Sequence, residues 1–166
     1  MRKYLILVLF LSPVLIAGRA WSAENKVVVD MRKGLIGPLR MTDALSEIKK
    51  KLGEQGVRPY TYEQEGSPQK GYELTFPGGA QCKLTWGAYE IESKAFHTTE
   101  GLGVGSTWKE FKAAYPEGQM DWMSDAYAVW SEKYKFRLYF PSSTKAPAAS
   151  DKVQSFHLNH PLIKFE

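Results

Sequence analysis

The chain has 166 residues and carries 22 Lys and Arg against 18 Asp and Glu, a net charge of +4. That is one domain's length with a sizeable core, and its single cysteine, Cys82, excludes an intramolecular disulfide. The excess of positive charge is concentrated at one end. Removing Arg2, Lys3 and Arg19 leaves 19 basic residues against 18 acidic ones, near +1, so the basic pI is not the clustered footprint of a nucleic-acid binder.

The N-terminal segment reads as a cleavable secretory signal. Arg2 and Lys3 precede an apolar run from Tyr4 to Ile16, and small residues follow at Ala17, Gly18, Ala20, Ser22 and Ala23. Charge, apolar stretch and small residues in that order define a signal peptide. The apolar run of about 13 residues is shorter than the roughly 20 a spanning helix needs. Residues 1–22 are therefore expected to leave, with cleavage after Ser22 or after Ala20, and residues 23–166 to form a single periplasmic or secreted domain. No stable membrane span is expected in what remains. Of 5 Trp, 9 Tyr and 8 Phe, only Tyr4, Phe10 and Trp21 lie in the leader. Such aromatic enrichment suits pleated sheet.

The β-branched run Lys26 to Asp30 predicts a short strand, followed by turns at Gly34, Gly37 and Pro38. Thr42 or Asp43 is expected to cap a helix reaching Leu52, with Leu45, Ile48 and Leu52 as its apolar stripe and Gly53 as its stop. Arg58 to Gln64 predicts a strand with Tyr60 and Tyr62 on one face. A turn is expected over Gly66 to Gly71, then a strand from Tyr72 to Phe76. Pro77, Gly78 and Gly79 mark a turn into the strand Gln81 to Trp86, where Cys82, Leu84 and Trp86 point inward. Gly87 marks a bulge, because Tyr89 and Ile91 continue on the opposite parity.

The pattern then returns. Gly101, Gly103 and Gly105 lead to Thr107, which forms a capping box with Glu110. Trp108, Phe111 and Tyr115 make the stripe of this second helix, and Pro116 stops it. Trp122 and Met123 begin further strand. Tyr127 to Trp130 and Lys135 to Phe140 predict a hairpin, residues 141–150 a loop, and Val153 to Leu158 a last strand. The predicted fold is α+β, with two helices packed on one face of an antiparallel sheet, built from a degenerate helix-plus-strands repeat.

Sliding the chain by 63 residues places Ile48 on Phe111, Leu52 on Tyr115 and Gly53 on Pro116. The second helix entry, Gly105-Ser106-Thr107 with Phe111 and Tyr115-Pro116, resembles the glycine–x–threonine, apolar, apolar–glycine pattern of BamE/SmpA-type envelope proteins. It is similar also to the β-lactamase-inhibitor-protein-like fold. The first entry, Met41-Thr42 to Leu52-Gly53, resembles it with two extra residues between Thr42 and Ile48. The resemblance implies a helix pair on an antiparallel sheet whose exposed face and loops bind other proteins.

Reactive chemistry finds little support in the motifs. The stretch Gly101 to Thr107 lacks the phosphate-loop lysine, and its glycines serve a tight entry to a capped helix. His157 and His160 are three apart on a predicted strand and point to opposite faces, so no metal site is expected. Glu90 and Glu92 share a strand face, a wet side more often than a carboxylate pair. No cofactor and no catalytic residue are expected. Trp130, Arg137 and Tyr139 fall outside the main apolar stripes, and these residue types dominate protein-binding hot spots. The expectation is a non-catalytic protein that uses these three residues, on an exposed sheet face, to bind another envelope or secreted protein. The alternative is a hydrolase or small-ligand binder whose site, around His97, Glu90 or Cys82, assembles only in space.

Overall fold

The computed structural model describes residues 26–85, 87–117, 119–123, 126–141 and 146–159. The expected signal peptide, Trp86 and His160 lie outside the described residues. The fold is α+β. Its elements are β1 (Val27–Asp30), β2 (Leu35–Ile36), β3 (Leu39–Arg40), α1 (Leu45–Leu52), a single 3-10 turn (Glu54–Gly56), β4 (Val57–Gln64), β5 (Ser67–Thr75), β6 (Gln81–Thr85), β7 (Ala88–Ile91), β8 (Phe96–Thr98), α2 (Trp108–Ala114), β9 (Gln119–Met123), β10 (Ala126–Ser131), β11 (Phe136–Tyr139) and β12 (Ser155–Asn159).

Two sheets organise the chain. The larger has eight strands in the order β4-β5-β6-β7-β12-β11-β10-β9, and every neighbouring pair in it is antiparallel. The smaller, β3-β2-β1-β8, is absent from the sequence reading; its β1 and β8 run parallel, Val27 opposite Phe96. Alternation gives the large sheet one apolar face. Leu74, Cys82, Leu84, Tyr89, Ile91, Phe156, Leu158, Phe136 and Leu138 are all buried there. The small sheet adds Val27, Val29, Ile36, Leu39 and Phe96 to the same core, where Phe96 meets Phe76 edge-on at 5.3 Å.

Both helices feed that core. Ile48 of α1 and Trp108 and Phe111 of α2 are buried. Trp108 packs on Phe140 at 6.3 Å, while Tyr115, just past the end of α2, packs edge-on against Phe136 at 5.5 Å. The capping box of α2 is present: the Glu110 amide donates to Thr107 Oγ1 at 3.3 Å, and the Thr107 amide donates to Glu110 Oε2 at 2.7 Å. Tyr115 also donates its hydroxyl to Glu100, and Arg32 lies over the rings of Tyr115 and Tyr134 at 5.7 and 5.4 Å. This cluster ties the turn after β1 to the end of α2 and to the β10–β11 hairpin.

Three local expectations are corrected. The cap of α1 is Ala44, with no side-chain hydrogen bond, rather than Thr42 or Asp43. The Asp43 carboxylate is engaged elsewhere, accepting from the Arg40 amide at 2.7 Å and from Lys51 Nζ at 2.6 Å. Ser67 to Gly71 is strand, not turn; the reversal is confined to Glu65 and Gly66, whose φ values of 52° and 75° make a type I′ hairpin turn. Gly87 is no bulge either, because Thr85 pairs with Ala88 and the chain reverses between them.

The β4–β5 hairpin extends past the end of β6, since β6 pairs only with Tyr72 to Thr75 of β5. Gln64 and Ser67 flank the two-residue turn as a hydrogen-bonded pair, so Pro68 and Pro59 fall at the alternate positions that face away from the partner strand. Each free edge of this arm thus carries a proline where an outward N–H would stand.

Candidate functional site

The second face of the large sheet is not core. One cross-strand row runs over it from β4 to β10: Arg58, Glu73, Lys83, Glu90, His157, Arg137 and Trp130 stand successively opposite one another. From Glu73 onward these side chains are half-buried, and Arg58 is exposed. Their position follows from strand parity. Arg137 and Tyr139 alternate with the buried Phe136 and Leu138, and Trp130 alternates with the buried Val129 and Ser131.

All three residues expected from sequence therefore share this face. Trp130 and Arg137 are direct cross-strand partners, and Tyr139 stands two residues beyond Arg137, opposite Ser155. Sequence reasoning missed the fourth member, His157, which sits between Arg137 and Glu90 and whose ring lies 4.4 Å from that of Tyr139. Burial, and secondarily the charge of Arg137, push the imidazole down to a pKa of about 4. The ring is thus neutral at physiological pH. Only the strand order, with β12 inserted between β7 and β11, brings it there.

An open groove of about 600 Å³ follows this cluster, lined by Glu92, Tyr139, Phe140, Gln154, Ser155 and His157. A second, of about 390 Å³, lies nearer β6 and is lined mainly by Glu73, Gln81, Lys83, Glu90 and Glu92. At the far flank Tyr60 and Tyr62 pair at 5.8 Å between ring centres. A Cβ on Gly71 would come within 2.7 Å of the Tyr60 ring, so the ring covers a strand position that only glycine vacates. Burial and then the Glu90 carboxylate raise the Tyr60 phenol to about 12.

The face thus presents aromatic groups at both flanks and charge between them. Glu73 pairs with Arg58 at 3.6 Å, and Glu90 accepts from Thr85 Oγ1 at 2.8 Å. Among the described residues Arg137 makes no ion pair.

Of the residues named for hidden catalysis, Cys82 and Glu90 both line the groove nearer β6, and His97 lies apart from them. Cys82 is buried on the core side, and burial raises its thiol well above the usual range, which disfavours the nucleophilic thiolate. His97 lies on β8 in the other sheet, paired with Val28. Glu90 and Glu92 lie on the outer face, where Glu90 stands opposite the neutral, half-buried His157.

No protein-family model matches the chain, and no curated protein matches it. Among solved structures, the chain is similar to the uncharacterized protein YfeY from Escherichia coli, at 13% identity over 81% of this chain and 99% of that one, with a TM-score of 0.45.

Proposed function

We propose that this is an exported, non-catalytic binding protein of the cell envelope that meets another envelope or secreted protein through the outer face of its large sheet. One observation carries the reading: Trp130, Arg137 and Tyr139, with His157, form a contiguous half-buried cluster on a sheet face that is not core. Large rigid aromatics beside an arginine are the composition of binding hot spots. Eight strands at about 4.8 Å spacing give a face about 34 Å wide, the scale of a standard protein–protein interface. We read α1 with β4 to β7 and α2 with β9 to β12 as the two copies of a degenerate repeat, with both helices on the core side of the sheet. The order β4-β5-β6-β7 followed by β12-β11-β10-β9 supports this, as does the 63-residue offset that places Leu45 on Trp108 and Leu52 on Tyr115.

The test is capture. The full chain, tagged at its C terminus, is expressed, cross-linked in intact cells and purified from the envelope and the medium, and its companions are identified by mass spectrometry. One dominant protein companion, lost in the Trp130→Ala/Arg137→Ala protein while melting behaviour is kept, is the expected result. A folded double variant that retains the same companion overturns the reading. N-terminal sequencing of the recovered protein checks export directly, with Ala23 or Trp21 as the expected first residue.

A further inference from the structure

The described residues include four arginines; Arg40 is exposed, and two of the others have acidic partners. Arg32 pairs with Glu100 at 3.4 Å, and Arg58 pairs with Glu73 at 3.6 Å. Arg137 differs. Its cross-strand neighbours are His157 and Trp130; two residues away along the chain stand Tyr139, on the same strand, and Lys135, in the turn before it. Lys135 is taken by Glu132. The nearest carboxylate on the row, Glu90 of β7, is two strands away on one side, and Asp121 of β9, opposite Ala128, is two strands away on the other, each about 10 Å between backbones. Among the described residues this half-buried guanidinium has thus lost part of its hydration without gaining a counter-charge, an arrangement that costs free energy until an acceptor arrives.

We propose that Arg137 receives an acidic side chain from a loop of the partner protein, its carboxylate seated against the guanidinium between Trp130 and Tyr139. This rests on the reading of the outer face as the docking surface, and it specifies the partner's chemistry. The planar guanidinium offers a carboxylate two parallel donors, and the flanking rings exclude water from the pair. A lysine or arginine at the same place is repelled. A neutral residue leaves the guanidinium unsatisfied on complex formation. The groove beside Tyr139 and His157 provides depth for the loop carrying that acid, and Glu92 at its far wall discourages a second acidic residue there.

The experiment pans the purified protein against a displayed library of randomised loops on an unrelated scaffold. Binders are sorted by loss of binding to Trp130→Ala, or to Tyr139→Ala where the first variant does not fold. Face-directed binders are expected to share an Asp or Glu at one loop position. By calorimetry, changing that residue to its amide should weaken binding to the wild type about ten-fold or more. The same change should weaken binding to Arg137→Gln less than about two-fold, the coupling a direct pair produces. Face-directed binders with no acidic preference overturn this proposal and leave the docking face standing. An acid whose removal costs the same in wild type and Arg137→Gln does likewise. Failure to obtain any binder sensitive to Trp130 or Tyr139 overturns both readings.

Discussion

His157 makes the outer face sensitive to acid in a way that can be measured. Its folded pKa is pushed down to about 4, by burial first and by Arg137 second, from an ordinary value of 6.5. Between those two values the unfolded chain holds a proton on this ring and the folded chain does not. Stability therefore falls as pH falls from 6.5 toward 4, and this contribution to the slope ends below about 4. One pKa unit corresponds to 1.36 kcal/mol, so the whole interval is worth about 3 kcal/mol, and the stretch from pH 6.5 to pH 5 about 2 kcal/mol. For a domain of this size that is a drop in Tm of about 4–8 °C between pH 6.5 and 5. Denaturant melts at half-unit pH steps measure it, and replacing His157 by Gln should flatten the profile in that interval. NMR titration of the ring checks the cause directly, and Arg137→Gln should move the imidazole part of the way back toward its ordinary value. If wild type and His157→Gln lose the same stability between pH 6.5 and 5, the ring is not buried as described and the reasoning fails.

Three further outcomes follow from packing and capping. Leu138→Ala, on the buried side of β11, should cost about 2–5 kcal/mol in chemical denaturation, whereas Arg137→Gln on the other side should stay within about 1 kcal/mol. The reverse order would mean that the two faces are assigned the wrong way round. A Cβ on Gly103 would overlap the Phe96 carbonyl oxygen, a backbone atom with no rotamer to retreat to. Gly103→Ala should therefore lower stability by about 1–3 kcal/mol, read as a shifted denaturation midpoint at unchanged m-value. Thr107→Ala removes half of the capping box of α2 and should cost about 1 kcal/mol by the same measurement.

The elements that could be read from sequence are those whose signals are local. The capping box at Thr107 and Glu110 needs only four residues, and the alternation through Phe136 to Phe140 needs five. The errors arose where a residue serves a distant neighbour. Gly71 reads as a turn because glycine usually weakens strands; its real partner is the Tyr60 ring, eleven positions away. Asp43 reads as a cap, but Lys51 and the Arg40 amide hold its carboxylate. A parity switch at Gly87 fits a bulge and a two-residue hairpin equally well until the pairing of Thr85 with Ala88 is known. β2 and β3 are two residues each and carry no periodicity at all. Within the candidate site, Trp130, Arg137 and Tyr139 declared themselves by parity on one hairpin. His157 and Tyr60 joined them only through the strand order, which no local pattern encodes.

The pairing of β7 with β12 at the centre of the large sheet has a consequence for how the molecule comes into being. Ile91 meets Phe156 there, joining parts of the chain 65 residues apart. Neither half of the sheet can complete its hydrogen bonding from its own strands, since each presents an open edge until its counterpart arrives. The closing strand, β12, is the last in chain order among the described strands, so a nascent chain cannot close the sheet before this segment has emerged. Formation of this seam is a late, long-range event, with the slow kinetics of high contact order. A chain cut before Ser155 would leave both central edges unsatisfied, and would be prone to pair with other chains rather than with itself.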